Sequence, residues 1–418
     1  MKTTTSLLLL GLFFLAPVHA QKANALRTGD LVAICGDSIT EQKLYSLDMA
    51  DYFLLCQPAA NLQAMQFGWG GETAGGFLKR MSNDVLPFKP TVATTCYGMN
   101  DGGYRAVDDA IVAGYRQNMQ AIVKTFKDGG VRLIVVGGPG AVDSTTFKRP
   151  NTTPQVYNET LAALSRTASE VAAANGAAFA DVHGAMMDAM TKAKAKYGDS
   201  YPLGGTDGVH PGNNGHLVMA YAFLKALGCT GDIGTFTVDL KSGKATALGG
   251  HKILSASNGI VEIESTQYPF CFNGDPASPA ATTGVLEFVP FNQDLNRLML
   301  VVKNAPAEKL KVTWGTESRE FSAKQLEAGI NLAAEFLKNP FSEPFARAEA
   351  AIRQQQEFET PAIKGLVTAL PRWQTMLPGD AEVIRQLRDD VTKLSADFRK
   401  ASRAAVVPVK HTLKIEAI

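Results

Sequence analysis

Five residues scattered over the first half of the chain have the side-chain types that acyl transfer requires. Ser38 stands in CGDSIT (35–40), Gly71 in GWGGET (68–73), Asn100 in YGMND (97–101), and Asp207 and His210 in TDGVHPGNNGH (206–216). A serine hydroxyl is a weak nucleophile at neutral pH and needs a base to take its proton as it attacks a carbonyl. His210 can be that base. Asp207, three residues earlier on the same turn, is near enough to bond the imidazole Nδ1–H and stabilise the imidazolium that forms. Attack creates an oxyanion, and the backbone N–H groups of Ser38 and Gly71 with the side-chain amide of Asn100 are candidate donors to it. Taken alone, Ser38 reads equally well as a helix-capping turn residue, because Gly, Asp and Ser are ordinary in strand-to-helix turns.

The elements that must position these residues alternate in type. Apolar runs at Leu31–Cys35, Ala64–Phe67, Thr91–Cys96, Leu133–Gly137 and Ala177–Ala180 read as strands, with helical patterns over 44–56, 73–86, 108–128, 153–175 and 214–227. Strands apolar throughout, each followed by a helix, predict a buried parallel sheet covered on both faces. The expectation is a doubly wound α/β domain over 27–230. Each candidate motif follows a strand's carboxyl end, the edge where open parallel sheets bind ligands. Trp69, Tyr97, Met99 and Tyr104 flank these positions as candidate walls of a substrate pocket, burial in the core being the alternative. Asp37 and Asp101 read as structural carboxylates bonding loop amides, and His216 as structural beside Asn213 or Asn214 as helix cap. His183 and His251 show no partner in the sequence.

Gly36-Asp37-Ser38, Gly71, Gly98-Met99-Asn100-Asp101 and Asp207-Gly208-Val209-His210 together resemble, in order, the four signature blocks of the SGNH (GDSL-like) hydrolases. That resemblance covers about half the chain. It implies a flavodoxin-like fold, a Ser-His-Asp triad of Ser38, His210 and Asp207, an oxyanion hole from Ser38, Gly71 and Asn100, no metal or other cofactor, and esterase activity. One departure is Trp69-Gly70-Gly71-Glu72-Thr73, where two adjacent glycines compete for the oxyanion role. The Gly-acid-Thr order favours Gly71.

Beyond residue 230 the texture changes. Short alternating runs over 231–322, separated by Gly, Pro, Asn and Ser, read as a small antiparallel β domain. Residues 323–418 turn helical: 379–401 places Val383, Leu387, Val391, Leu394 and Phe398 on one stripe, and the final HTLKIEAI alternates like a strand.

The first twenty residues, with Lys2, an apolar stretch from Leu7 to about Pro17 and a Val-His-Ala exit, read as a cleaved signal peptide, so the protein is expected to be exported to the periplasm or beyond. No stretch reaches the roughly 18 apolar residues of a transmembrane helix. Loss of Lys2 with the leader leaves 40 basic against 40 acidic side chains, a balance that disfavours nucleic acid as a partner. The five cysteines (35, 56, 96, 229, 271) match no metal motif and are too few for a disulfide scaffold. The expected activity is hydrolysis of acyl esters through an acyl-enzyme, on an acylated small molecule or polysaccharide, with carbohydrate O-acetyl esters foremost. A lipid esterase or lysophospholipase, and a non-catalytic glycan-binding protein, are the alternatives.

Overall fold

The computed structural model describes residues 26–418, so the predicted leader lies outside the described residues. β1 (Leu31–Gly36), β2 (Gln63–Gln66), β3 (Val92–Cys96), β4 (Leu133–Gly137) and β5 (Ala178–Ala180) alternate with α1 (Ser38–Glu41), α2 (Tyr45–Asp51), α3 (Ala74–Asp84), α4 (Asp109–Asp128), α5 (Pro154–Ala174), α6 (Val182–Tyr197) and α7 (Asn213–Ala226). The strands pair in parallel in the order β2-β1-β3-β4-β5, as the flavodoxin-like expectation requires. Val32 lies opposite Ala64 on one side and Val92 on the other.

Successive side chains along a strand face opposite sides of the sheet. Val32, Ile34, Val92 and Val135 therefore join α2, α6 and α7 in one apolar core, while Ala33, Cys35, Ala93, Ile134 and Val136 join α3, α4 and α5 in another. Helix starts are set by local chemistry: Thr73, Asp108, Thr153 and Asp181 cap α3 to α6, each accepting a backbone N–H three residues on. α6 lies outside the helical patterns read from the sequence, although its buried Val182, Met186, Ala189, Met190 and Ala193 follow helical spacing. It also expects an Asn cap for α7, where the capping position is Gly212.

The second half holds two sheets built from β6 (Asp232–Asp239), β7 (Lys244–Gly249), β8 (His251–Ser257), β9 (Ile260–Ser265), β10 (Arg297–Lys303), β11 (Lys309–Trp314), β12 (Glu317–Ser322), β13 (Ile330–Asn331) and β14 (Val409–Ala417). One runs β13-β10-β6-β7, the other β12-β11-β14-β9-β8. The antiparallel expectation fails at β6 and β10, which pair in parallel. Between them the chain passes through the other sheet as β8 and β9, and such a return joins strands of like direction where a tight hairpin cannot. The final strand, β14, lies between β11 and β9.

The interior between these sheets carries a polar chain. Trp314 Nε1 donates to His411 Nδ1 at 3.1 Å, so His411 Nε2 carries the proton and donates to Ser265 Oγ at 2.9 Å. Ser265 then donates to His251 Nδ1 at 2.7 Å, and His251 Nε2 donates to the Ile233 carbonyl at 3.1 Å. Burial keeps both imidazoles neutral, pushing His411 down to about 3 and lowering His251. His251 thus has the partners that its sequence context does not reveal. Two helices, Ser342–Pro361 and Ala381–Ala404, cover edge strand β2: Gln355 Nε2 donates to the Ala64 carbonyl at 2.8 Å and Arg399 Nε to Gln63 Oε1 at 2.8 Å. All five cysteines are unpaired, and four of them are buried. Among the described residues no helix is long and apolar enough to cross a membrane.

Candidate active site

β1 and β3 are the neighbouring strands at which this strand order reverses direction, and the chain leaving each of them carries a candidate residue. After β1, Asp37 accepts the Ile39 N–H at 3.0 Å and so caps α1. Burial, with the charges of Asp101 and Glu72 adding to it, pushes its carboxyl up to about 7 against the opposing backbone hydrogen bond. With the cap supplied by Asp37, the Ser38 hydroxyl is directed elsewhere: Oγ lies 2.8 Å from His210 Nε2.

His210 Nδ1 lies 2.7 Å from Asp207 Oδ2. An ionised carboxylate only accepts, so Nδ1 carries the proton and Nε2 is free to accept from Ser38. Asp207 is itself held by its other oxygen, which accepts the N–H groups of Val209 and His210, both at 2.9 Å. Partial burial works to raise its carboxyl, but the hydrogen bonds from the His210 ring and these two amides outweigh it and hold it below the ordinary carboxylate range. The turn depends on Gly208, whose φ of +78° and approach to Phe147 leave no room for a β-carbon.

After β2, Gly71 adopts φ +72°. The Gly70 N–H is taken by a Glu41 carboxylate oxygen, whereas no protein acceptor takes the Gly71 N–H among the described residues. Of the two competing glycines, Gly71 therefore retains the free donor. The next residue, Glu72, is buried and bound by Arg80 through Nε–Oε1 at 2.6 Å and Nη2–Oε2 at 2.7 Å, and by the Tyr97 hydroxyl at 3.0 Å. Burial raises the Glu72 carboxyl while Arg80 opposes the rise. Arg80 also donates to the Phe67 carbonyl at 2.7 Å and stacks 4.9 Å from the Trp69 ring centre, fixing both ends of the loop.

After β3, Asn100 Nδ2 donates one N–H to the Glu72 carbonyl at 3.1 Å, which ties this loop to the glycine loop and leaves the second amide hydrogen available. Asp101 accepts the Ala74 N–H at 3.0 Å, a structural role, with burial raising its carboxyl to about 6. His216 is likewise structural: Nδ1 accepts the Tyr45 N–H at 3.2 Å and Nε2 donates to Gln42 at 2.9 Å. Two of the four candidate pocket residues are corrected. Tyr97 and Met99 are 0% and 1% exposed, Tyr97 packing on Phe77 and Met99 receiving the Tyr157 hydroxyl on its carbonyl. Beyond Cys96 the chain leaves the strand and turns at Gly98 (φ +124°), sending Tyr97 into the core on one side of the sheet and Met99 into the core on the other, so adjacency to the motif does not bring them to the surface. Trp69 and Tyr104 remain half-buried.

Ser38, Glu41, Gln42, Thr206, Asp207 and His210 line an open hollow of about 510 Å³. Every one of these side chains is polar. Glu41, Gln42 and Thr206 were not singled out from the sequence; Glu41 and Gln42 stand one helical turn beyond Ser38, a spacing that could have signalled them. Among the described residues no group of three or more His, Cys, Asp or Glu gathers to hold a metal.

The parallel five-stranded sheet with helices on both faces has the SGNH-type α/β fold. Residues 34–218 match the model of the GDSL-like lipase/acylhydrolase family, and this part of the chain is a domain of that family. Among solved structures, a gut microbial diltiazem-metabolizing enzyme superposes with a TM-score of 0.72 at 24% identity, covering 95% of this chain and 100% of its own. That likeness extends the shared fold to the C-terminal half. An acetylxylan esterase from Geobacillus stearothermophilus aligns with a TM-score of 0.41 at 20% identity, over 49% of this chain and 96% of its own. No curated protein sequence matches.

Proposed function

We propose that this protein is a serine esterase that cleaves short acyl esters of polar alcohols, with O-acetylated carbohydrate as its substrate class. Ser38 Oγ attacks the ester carbonyl carbon as its proton passes to His210 Nε2, and Asp207 stabilises the imidazolium. The carbonyl oxygen becomes an oxyanion held by the N–H groups of Ser38 and Gly71 and by Asn100 Nδ2. Collapse expels the alcohol, which takes the proton from His210 and leaves Ser38 acylated. Water then attacks with His210 again as base, releasing the acid and restoring the serine.

The observation that carries this reading is the unbroken hydrogen-bonded chain from Ser38 through His210 to Asp207, at 2.8 and 2.7 Å. The substrate class is supported by the open hollow, whose six lining side chains all carry polar groups that can partner sugar hydroxyls. The predicted leader adds export to the proposal, placing the reaction where polysaccharide is met.

The test is hydrolysis of 4-nitrophenyl esters from acetate to palmitate, alongside acetylated polysaccharide, by wild type, Ser38→Ala and His210→Ala. Turnover should fall with acyl length, and each substitution should abolish nearly all of it. A maximum at eight or more carbons would transfer the assignment to lipid esters, and persistent turnover by Ser38→Ala would overturn the serine mechanism.

A further inference from the structure

The C-terminal helical region reaches the proposed active site through one ion pair. Lys364, just beyond the helix Ser342–Pro361, lies with Nζ 2.5 Å from Glu41 Oε1 and 4.8 Å from the Trp69 ring centre. Glu41 uses its other oxygen to accept the Gly70 N–H. The same glycine loop is anchored at its base by this region: Glu359 Oε2 accepts the Gln66 N–H at 3.0 Å, Thr360 Oγ1 accepts from Gln66 Nε2 at 2.5 Å, and Gln66 Oε1 accepts the Gly68 N–H at 2.7 Å. Among the described residues, the hydrogen bonds and the ring contact that reach residues 66–70 from outside the α/β domain come from residues 359–364.

We infer that Lys364 is a positioning residue for ester hydrolysis: it fixes and neutralises Glu41, so that Gly70 is engaged, Gly71 presents its N–H, and no bare carboxylate faces the oxyanion that forms at Ser38. This rests on the serine-esterase reading above. Two physical effects act together. The Glu41 carboxylate lines the same hollow as Ser38, so without Lys364 its charge opposes the developing negative charge. The Gly70 N–H also needs an acceptor held in place, because Gly71 at φ +72° follows directly and its donor direction depends on that of Gly70. Both effects operate on the transition state more than on bound ester, so they appear in kcat rather than in KM.

The test uses the full chain and 4-nitrophenyl acetate, with circular dichroism and thermal unfolding to establish that each variant is folded. Lys364→Met should lower kcat by roughly tenfold with KM within about twofold, since a small misplacement of a catalytic donor costs one to two decades. Lys364→Arg, which keeps the charge, should recover most of the rate. Glu41→Gln/Lys364→Met removes the bare charge but keeps an acceptor for Gly70, so it should be faster than Lys364→Met alone. A purely structural contact would instead make the double variant no better than the single. Unchanged kcat in folded Lys364→Met, a loss confined to KM, or a double variant no faster than the single would each overturn the inference. Should Lys364→Met fail to fold, Lys364→Gln is compared in the wild-type and Glu41→Gln backgrounds: coupling through the ion pair predicts a roughly tenfold loss of kcat in the first and little change in the second, and equal losses in both would overturn the inference. Ser38→Ala, run in parallel, separates failure of this inference from failure of the serine mechanism: turnover surviving there refutes both.

Discussion

Replacing Asp207 should give an unusual order of effects, with the closer isostere the more damaging. In Asp207→Ala the imidazolium loses its counter-charge. Two unit charges about 4 Å apart interact by about 4 kcal/mol at an effective dielectric of about 20. The Asp207 side chain is 47% exposed and that of His210 30%, so solvent screening leaves about half of this. At 1.36 kcal/mol per decade, the remaining roughly 2 kcal/mol corresponds to an expected loss in kcat/KM of about 30-fold. In Asp207→Asn the amide oxygen should keep the position fixed by the Val209 and His210 N–H groups, which turns the NH2 toward His210 Nδ1. A donor there forces the proton onto Nε2, the nitrogen that must accept from Ser38, and wrong-tautomer substitutions of this type cost about 10⁴. The assay is kcat/KM for 4-nitrophenyl acetate at one pH for both variants. A milder effect for Asn than for Ala would refute the tautomer argument, and a loss under threefold in both would show that His210 acts without Asp207.

Asn100→Ala should lower kcat by on the order of 10²–10³ with little change in KM, since the bond to the oxyanion strengthens only in the transition state; a pure KM effect would recast Asn100 as a ground-state binding residue. Arg80→Met leaves Glu72 buried without its partner, and urea unfolding should show a loss of about 3–5 kcal/mol, a change under 1 kcal/mol contradicting the pairing described. Glu359→Gln tests a buried carboxyl that burial pushes up to about 7. The folded wild type retains this proton while the unfolded chain loses it near 4.5, so the wild type loses stability as pH rises from about 4 through 7 and the glutamine variant does not. Relative to wild type, Glu359→Gln should therefore gain on the order of 3 kcal/mol between pH 4 and pH 8 by urea unfolding, and a pH-independent difference would refute the shift.

The parallel sheet and the four loops at its carboxyl edge were legible because they rest on local signals, whereas the strand order came only with the resemblance to the SGNH hydrolases. Apolar runs of strand length, Asp and Thr caps and glycine turns each act within a few residues. The alternation of β and α then leaves few topologies open. Tyr97 and Met99 were ambiguous for a physical reason: the turn at Gly98 sends them to opposite sides of the sheet, and sequence neighbours of a site residue point into the core as readily as out of it. Beyond residue 230 the pairing of β6 with β10, and the placing of β14 between β11 and β9, depend on contacts between positions from 64 (Lys303 with Asp239) to 154 (Lys414 with Ile260) residues apart. No turn chemistry encodes these. Lys364 carries no local signal at all, since its partner lies 323 residues away.

Those long-range contacts also bear on how the two halves of the chain depend on each other. The residues lining the hollow all fall between 38 and 210, so none of the strands β6 to β14 supplies a wall to it. Yet one continuous apolar core joins Val32 and Leu217 to Phe236, Leu300, Val312 and Leu413. The Tyr268 N–H donates to the Leu55 carbonyl at 2.9 Å and Tyr52 donates to that of Leu295 at 2.9 Å, so the contact is polar as well as apolar. Cutting the chain after Gly228 would expose the α2 and α7 side of this core and would free the acceptors of edge strand β2 from Gln355 and Arg399. An N-terminal fragment would thus lose stability before it lost any residue of the Ser38–His210–Asp207 chain. The second half approaches the site both at the loop held by residues 359–364 and at Pro279, whose carbonyl accepts the Asn214 N–H at 3.4 Å just beyond the His210 turn, which is why single substitutions in the full chain, rather than truncations, separate bracing from catalysis.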